Sequence, residues 1–171
     1  PKDAAAGTYV GKLTVSADFI IDKALLSYTV ADVTAFELTG PEGPISVVRD
    51  GRGWKITKPE AVRGDRNTIN ALLADLRDMK LSEIVRMPAT DPGRYGLDRP
   101  TLVLSVTVKD GEKEHMSTLK LARGTREISY GYLSRGGSGD FIFSIPTETI
   151  AGFNPTLASL KDRALLSFDP D

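Results

Sequence analysis

Leu102-Val103-Leu104-Ser105-Val106-Thr107-Val108-Lys109, closed by Asp110-Gly111, is the stretch that decides the fold. Side chains alternate between the two faces of an extended chain. Leu102, Leu104, Val106 and Val108 therefore share one face, and Val103, Ser105, Thr107 and Lys109 share the other. An apolar face backed by a mixed one is the pattern of a half-buried strand. Asp-Gly accepts the positive φ of a two-residue turn, so the chain is expected to return as a second strand over Met116 to Ala122.

Upstream, Val33 to Leu38 alternates in the same way, with Thr34, Phe36 and Leu38 set against Val33, Ala35 and Glu37. Pro41, Gly43 and Pro44 punctuate a turn, and Ile45 to Arg49 reads as the next strand. Asp50-Gly51-Arg52-Gly53 is a hairpin turn into Trp54-Lys55-Ile56-Thr57, which Pro59 ends. Residues 65–80 carry the best helical signal. Asp65 is a good N-cap, and Ile69, Leu72, Leu73, Leu76 and Met79 fall at helical spacing on one stripe. Leu81 to Met87 reads as extended. Downstream, Glu127 to Ser134 is a strand, Arg135 to Asp140 a flexible loop, and Phe141, Phe143 and Ile145 share a face of the last strand. A short helix is expected from Pro146 through Phe153, and another with Asn154 as cap and Pro155 at its first position. Consecutive hairpins with few helices predict an α+β fold. Antiparallel β-meanders would carry a central amphipathic helix and C-terminal short helices packed on the sheet.

Composition narrows the function. The 171 residues are 40% hydrophobic and 26% charged, enough apolar mass for a core. Lys and Arg number 22 against 23 Asp and Glu, a net charge of −1, so no cationic excess is available for nucleic-acid phosphates. There is no Cys, which excludes disulfides and thiolate metal sites. No run of about 18 apolar residues marks a transmembrane helix. The opening Pro1-Lys2-Asp3 reads as a cut end, with a leader or anchor upstream. A strand over Tyr9 to Val15 is the one element expected in the lead-in, residues 1–21.

Asp22-Lys23-Ala24-Leu25-Leu26-Ser27-Tyr28 returns as Asp162-Arg163-Ala164-Leu165-Leu166-Ser167-Phe168, with five positions identical and two conservative. Average residue usage makes this coincidence about one in a thousand. Two Leu-rich joints can match by chance. The alternative is a module at 22–161, with 162–171 beginning a following repeat. Within the module, residues of about 22–90 and 91–161 read as two β-meander-plus-helix halves.

These residues also carry a family resemblance. Trp54 and Ile56 before Pro59, the paired leucines Leu72-Leu73 with Leu76, Val85, the turn Tyr95-Gly96-Leu97-Asp98-Arg99-Pro100, and the closing Asp162-Arg163-Ala164-Leu165-Leu166 follow one another as in the bacterial domain-of-unknown-function family 4340. The chain resembles that family over roughly residues 22–171, most specifically in the Tyr-Gly-Leu-Asp-x-Pro turn. The resemblance implies an extracytoplasmic body, in the periplasm or cell envelope, on a membrane anchor outside this sequence. It also implies an auxiliary role beside gliding-motility-type ABC transporters. It implies no reaction.

Candidate chemistry is sparse. His115 is the single histidine, in a charged hairpin end, without the partners a metal site or a catalytic imidazole needs. Gly136-Gly137-Ser138-Gly139 lacks the Lys-Ser/Thr of a phosphate loop. Asp50, Asp91, Asp98, Asp110 and Asp140 lie in turns, where aspartates bond backbone more often than they pair for catalysis. Asp98 is expected to fix its turn through backbone N–H groups, Gly96 to supply a left-handed conformation, and Tyr95 and Leu97 to plug the core. Trp54 is expected in the core. Tyr130 and Tyr132 stand side by side on one strand face and, with Arg135, form the candidate ligand or partner surface.

The expectation is thus a non-enzymatic module with no cofactor and no metal. It scaffolds or contacts protein partners, such as transporter subunits or neighbouring copies of the module. The alternative is a sugar- or peptide-binding module using the aromatic strand face.

Overall fold

The computed structural model describes residues 24–135, 139–153 and 155–163. The expected strand at Tyr9 to Val15, the glycines of the 136–138 loop, Asn154, and the repeat residues 22–23 and 164–168 lie outside them.

The strands are β1 (Val33–Gly40), β2 (Gly43–Asp50), β3 (Gly53–Lys58), β4 (Val62–Gly64), β5 (Glu83–Arg86), β6 (Leu102–Asp110), β7 (Lys113–Ala122), β8 (Ile128–Ser134) and β9 (Phe141–Pro146). The helices are α1 (Arg66–Asp78), α2 (Thr147–Gly152) and α3 (Leu157–Leu160). All nine strands join one antiparallel sheet in the order β4-β3-β2-β1-β6-β7-β8-β9-β5. The fold is mostly β with some helix, within the α+β class. Among the described residues no helix is long and apolar enough to cross a membrane.

The opening hairpin forms as its pattern requires. Leu102, Leu104 and Val106 are buried, and the turn carries Gly111 at φ 63°. In β1 the alternation fails at one point. The register slips between Val33 and Ala35, so Val33 turns inward with Phe36 instead of opposite it. A bulge adds one residue and swaps the faces behind it.

Each meander runs outward from the β1–β6 centre, and each outer edge is completed by chain that follows the other meander's helix. After α1 the chain reaches the far edge, where β5 pairs with β9. After α3 it returns to β4, where Lys161 bridges Gly64 and the Asp162 N–H donates to the Arg63 carbonyl at 3.0 Å.

One side of the sheet packs on the helices. Asp65 caps α1 by accepting from the Thr68 N–H at 2.7 Å, and Ile69, Leu73, Leu76 and Met79 are buried on Phe36, Val47, Trp54 and Ile56. Leu72 is half-buried on the same core. The final short helix begins later than its sequence signal suggests. Thr156 is its cap, exchanging hydrogen bonds with Ser159 in a capping box.

β9 departs most from a half-buried strand. Phe141, Phe143 and Ile145 face the main core, but Ile142 and Ser144 are buried too. Ile142 meets Leu97 and Ala122 in a second cluster on the other side of the sheet.

Candidate functional site

Two regions occupy the sheet side away from α1, and the difference between them follows from what covers each. Over β7–β9 the turn after β5 folds back. It is a 3₁₀ turn, Pro92–Tyr95, ended by Gly96 at φ 71°, a left-handed conformation that glycine adopts without Cβ strain. Leu97 drops onto Ala122 and Ile142. The expected capping by Asp98 is replaced by backbone bonds, Gly96 N–H to the Gly93 carbonyl at 3.1 Å and Leu97 N–H to the Pro92 carbonyl at 3.0 Å. Asp98 itself is exposed. Pro100, half-buried, leads into β6.

Tyr130 and Tyr132 point into this covered region. The Tyr95 and Tyr130 rings meet edge to face at 5.1 Å between centroids. The Tyr132 hydroxyl donates to Asp140 Oδ2 at 2.6 Å, and the Lys120 ammonium stands 5.4 Å from the Tyr132 ring centre. That hydrogen bond holds the Asp140 carboxyl below, and the Tyr132 hydroxyl above, its usual pKa. Arg135 does not join the two tyrosines. One residue out of phase, it reaches the helix side and donates to the Leu25 carbonyl at 2.9 Å. The candidate surface of three residues is thus divided between opposite sides of the sheet.

Over β1–β3, β6 and the start of β7 no turn among the described residues folds back. Ala35, Glu37, Ser46, Val48, Thr107 and Met116 line a shallow depression of about 270 Å³. Ser46 donates to Glu37 Oε1 at 2.8 Å, and Ser105 and Thr118 share a 3.1 Å hydrogen bond across β6 and β7. Two apolar side chains stand out of this hydroxyl-rich floor, Met116 at 59% exposure and Val48 at 36%. The sequence gives no separate signal for this region, because each strand's outward residues are individually ordinary.

Trp54 lies beneath, in the core. Its indole N–H donates to Asn70 Oδ1 at 2.9 Å, Phe36 meets it edge-on, and the Arg49 guanidinium sits 4.0 Å from its ring centre. Arg49 is anchored there by its Nε–H to the Val33 carbonyl at 2.8 Å, and burial lowers its pKa. Ile56 is buried beside them. His115 is exposed at the rim of a second groove, of about 600 Å³, with Arg135, Tyr28 and Val108. A third cleft, of about 560 Å³ along the β4 edge, mixes Arg52, Arg63 and Arg66 with Asp50 and Asp162. Among the described residues no group of three or more His, Cys, Asp or Glu is placed to hold a metal ion.

A single antiparallel sheet, helices on one side and a folded-back turn on part of the other, defines an α+β protein whose sequence motifs are largely framework. The family model described as Domain of unknown function (DUF4340) matches residues 4–100 and again residues 54–171. The two stretches together span nearly the whole sequence, and the chain belongs to this family. No curated protein and no solved structure matches it.

Proposed function

We propose that this domain is a non-enzymatic extracytoplasmic module that makes protein–protein contacts as a scaffold beside an envelope ABC transporter. The observation that carries the contact reading is the sheet side over β1–β3 and β6–β7, which none of the described residues folds over. There Val48 and Met116 rise from a broad, shallow, hydroxyl-rich floor. Apolar side chains on a flat polar surface suit a protein partner, whereas small molecules favour concave pockets. Support for the transporter and for the envelope comes from the family resemblance. The aromatic strand face speaks less for a sugar or peptide, since Tyr130 and Tyr132 spend their faces and one hydroxyl on Tyr95, Lys120 and Asp140.

The test is co-purification from envelope fractions of the parent bacterium, using the full parent chain. Wild type is expected in that fraction and to retain transporter subunits. Val48→Asp with Met116→Asp is expected to lose them while keeping its thermal midpoint. Retention by the double variant, or recovery of the chain in the cytosol, contradicts the proposal.

A further inference from the structure

The cleft along β4 gathers positive charge. Four cationic side chains, Arg52, Lys55, Arg63 and Arg66, line its volume of about 560 Å³ against two anionic ones, Asp50 and Asp162. The whole chain, by contrast, has a net charge of −1. Arg63 engages Asp162 through Nε at 3.4 Å. Among the described residues Arg52, Lys55 and Arg66 have no ion-pair partner. All three are exposed, so the core does not require their charge.

The placement of these cations works against the fold at three points. Lys55 and Arg63 stand directly opposite each other across β3 and β4. Like charges in that position destabilise a strand pair. Arg66 is the first residue of α1, where the helix dipole disfavours a cation. Arg66 also stands close to Arg49, which is fixed on the Trp54 ring and bonded to the Val33 and Val30 carbonyls. Burial first, and then the charge of Arg66, hold the Arg49 guanidinium below its usual pKa, with Asp32 opposing them. Departures from local consistency of this kind fall at functional sites. An anion in the cleft would relieve all three.

The size of the cleft and the donor type narrow the anion. Small-molecule sites occupy about 300–1,000 Å³. A guanidinium presents a planar fork of donors that matches an edge of two oxygens. A carboxylate has one such edge. A phosphate group has three acceptor oxygens and engages more than one fork. We propose that the β4 cleft binds a phosphate-bearing anion, held by Arg52, Lys55 and Arg66 with Arg63 at its border. The phosphate belongs to a soluble ester or to a lipid headgroup. The proposal is independent of the protein contact assigned to the sheet side over β1–β3 and β6–β7.

The test titrates the full chain with phenyl phosphate and follows the arginine side-chain N–H signals by NMR. The Arg52 and Arg66 signals should shift together and saturate, with Arg94 in the remote turn unmoved. Phthalate, a dicarboxylate, should bind at least about tenfold more weakly. Arg52→Gln with Arg66→Gln should weaken phenyl phosphate by at least about tenfold, the least expected for lost charged hydrogen bonds. The thermal midpoint of that variant should hold or rise, because Arg66 opposes both the helix dipole and Arg49. Sedimentation with phosphatidylglycerol vesicles, against phosphatidylcholine vesicles, separates the two sources. A lipid source predicts that wild type sediments with the anionic vesicles and the double variant does not. A soluble source predicts that wild type stays in solution while phenyl phosphate binds. No saturating shift, equal binding of phthalate, or unchanged binding by the double variant overturns the proposal.

Discussion

The two meanders face the same problem and cover themselves differently. β1–β4 receive one thirteen-residue helix, whose Ile69, Leu73 and Leu76 seal Trp54 and Ile56 from one side only. β6–β9 receive the six-residue α2, while the four-residue α3 lies against α1 beside β4. The strands β6–β9 compensate with aromatic mass: Phe141 and Phe143 fill the helix side, and the Tyr95–Leu97 turn closes the other. A long amphipathic helix on one side leaves the opposite sheet side without cover among the described residues. With only the six-residue α2 on its helix side, the second half builds a two-sided core. The free side is where the proposed partner contact falls.

The largest difference between the two meanders lies in their helices. Leu73→Ala should cost about 2–5 kcal/mol, because a buried leucine leaves both lost transfer energy and a cavity. Leu157→Ala in α3, only half-buried, should cost clearly less in the same denaturant titration. Equal costs would mean that α3 shares the work of α1.

The second half is sharpened at Gly131. A Cβ there would lie 2.1 Å from the Phe143 ring, which covers the glycine across β8 and β9. Gly131→Ala should therefore destabilise by about 1–3 kcal/mol through overpacking. Adding Phe143→Leu should return part of that loss. A double variant that is worse by the simple sum of the two would contradict this packing account.

Smaller effects come from the two lowered carboxyls. Asp65→Ala should cost about 1 kcal/mol as a lost helix cap. The Thr68 N–H holds the Asp65 carboxyl below its usual pKa in the fold. Its contribution is thus complete above the unfolded value of about 4 and declines as pH falls through the folded value. The gap between wild type and variant should narrow in acid. Tyr132→Phe should cost about 1 kcal/mol and let the Asp140 carboxyl titrate nearer its usual pH, as read by carboxyl carbon NMR. An unmoved Asp140 titration would remove the hydroxyl as the cause.

Much of the framework was legible in the sequence. Alternation marks β6, Asp-Gly marks two hairpins and with them the return strand β7, and Asp65 with its leucine stripe marks α1. What stayed hidden was non-local. β4 has three residues and no readable alternation. The slip in β1 is set by its partner β6, not by its own residues. Ile142 looked outward-facing because the turn that buries it lies some 45 residues earlier in the sequence. Tyr130 and Tyr132 share a face by their spacing, but the Tyr95–Leu97 turn that covers that face leaves no local signal in β8. Arg135 is their near neighbour in sequence, but its odd phase sends its side chain to Leu25.

The central claim is that the uncovered side of the first meander is a protein contact. A photo-crosslinking residue at Met116 tests it directly, with one at Arg77 on the helix side as the reference. In the intact envelope, Met116 should yield adducts with transporter subunits and Arg77 should not. Adducts at Arg77 alone, or none at Met116, would contradict the account.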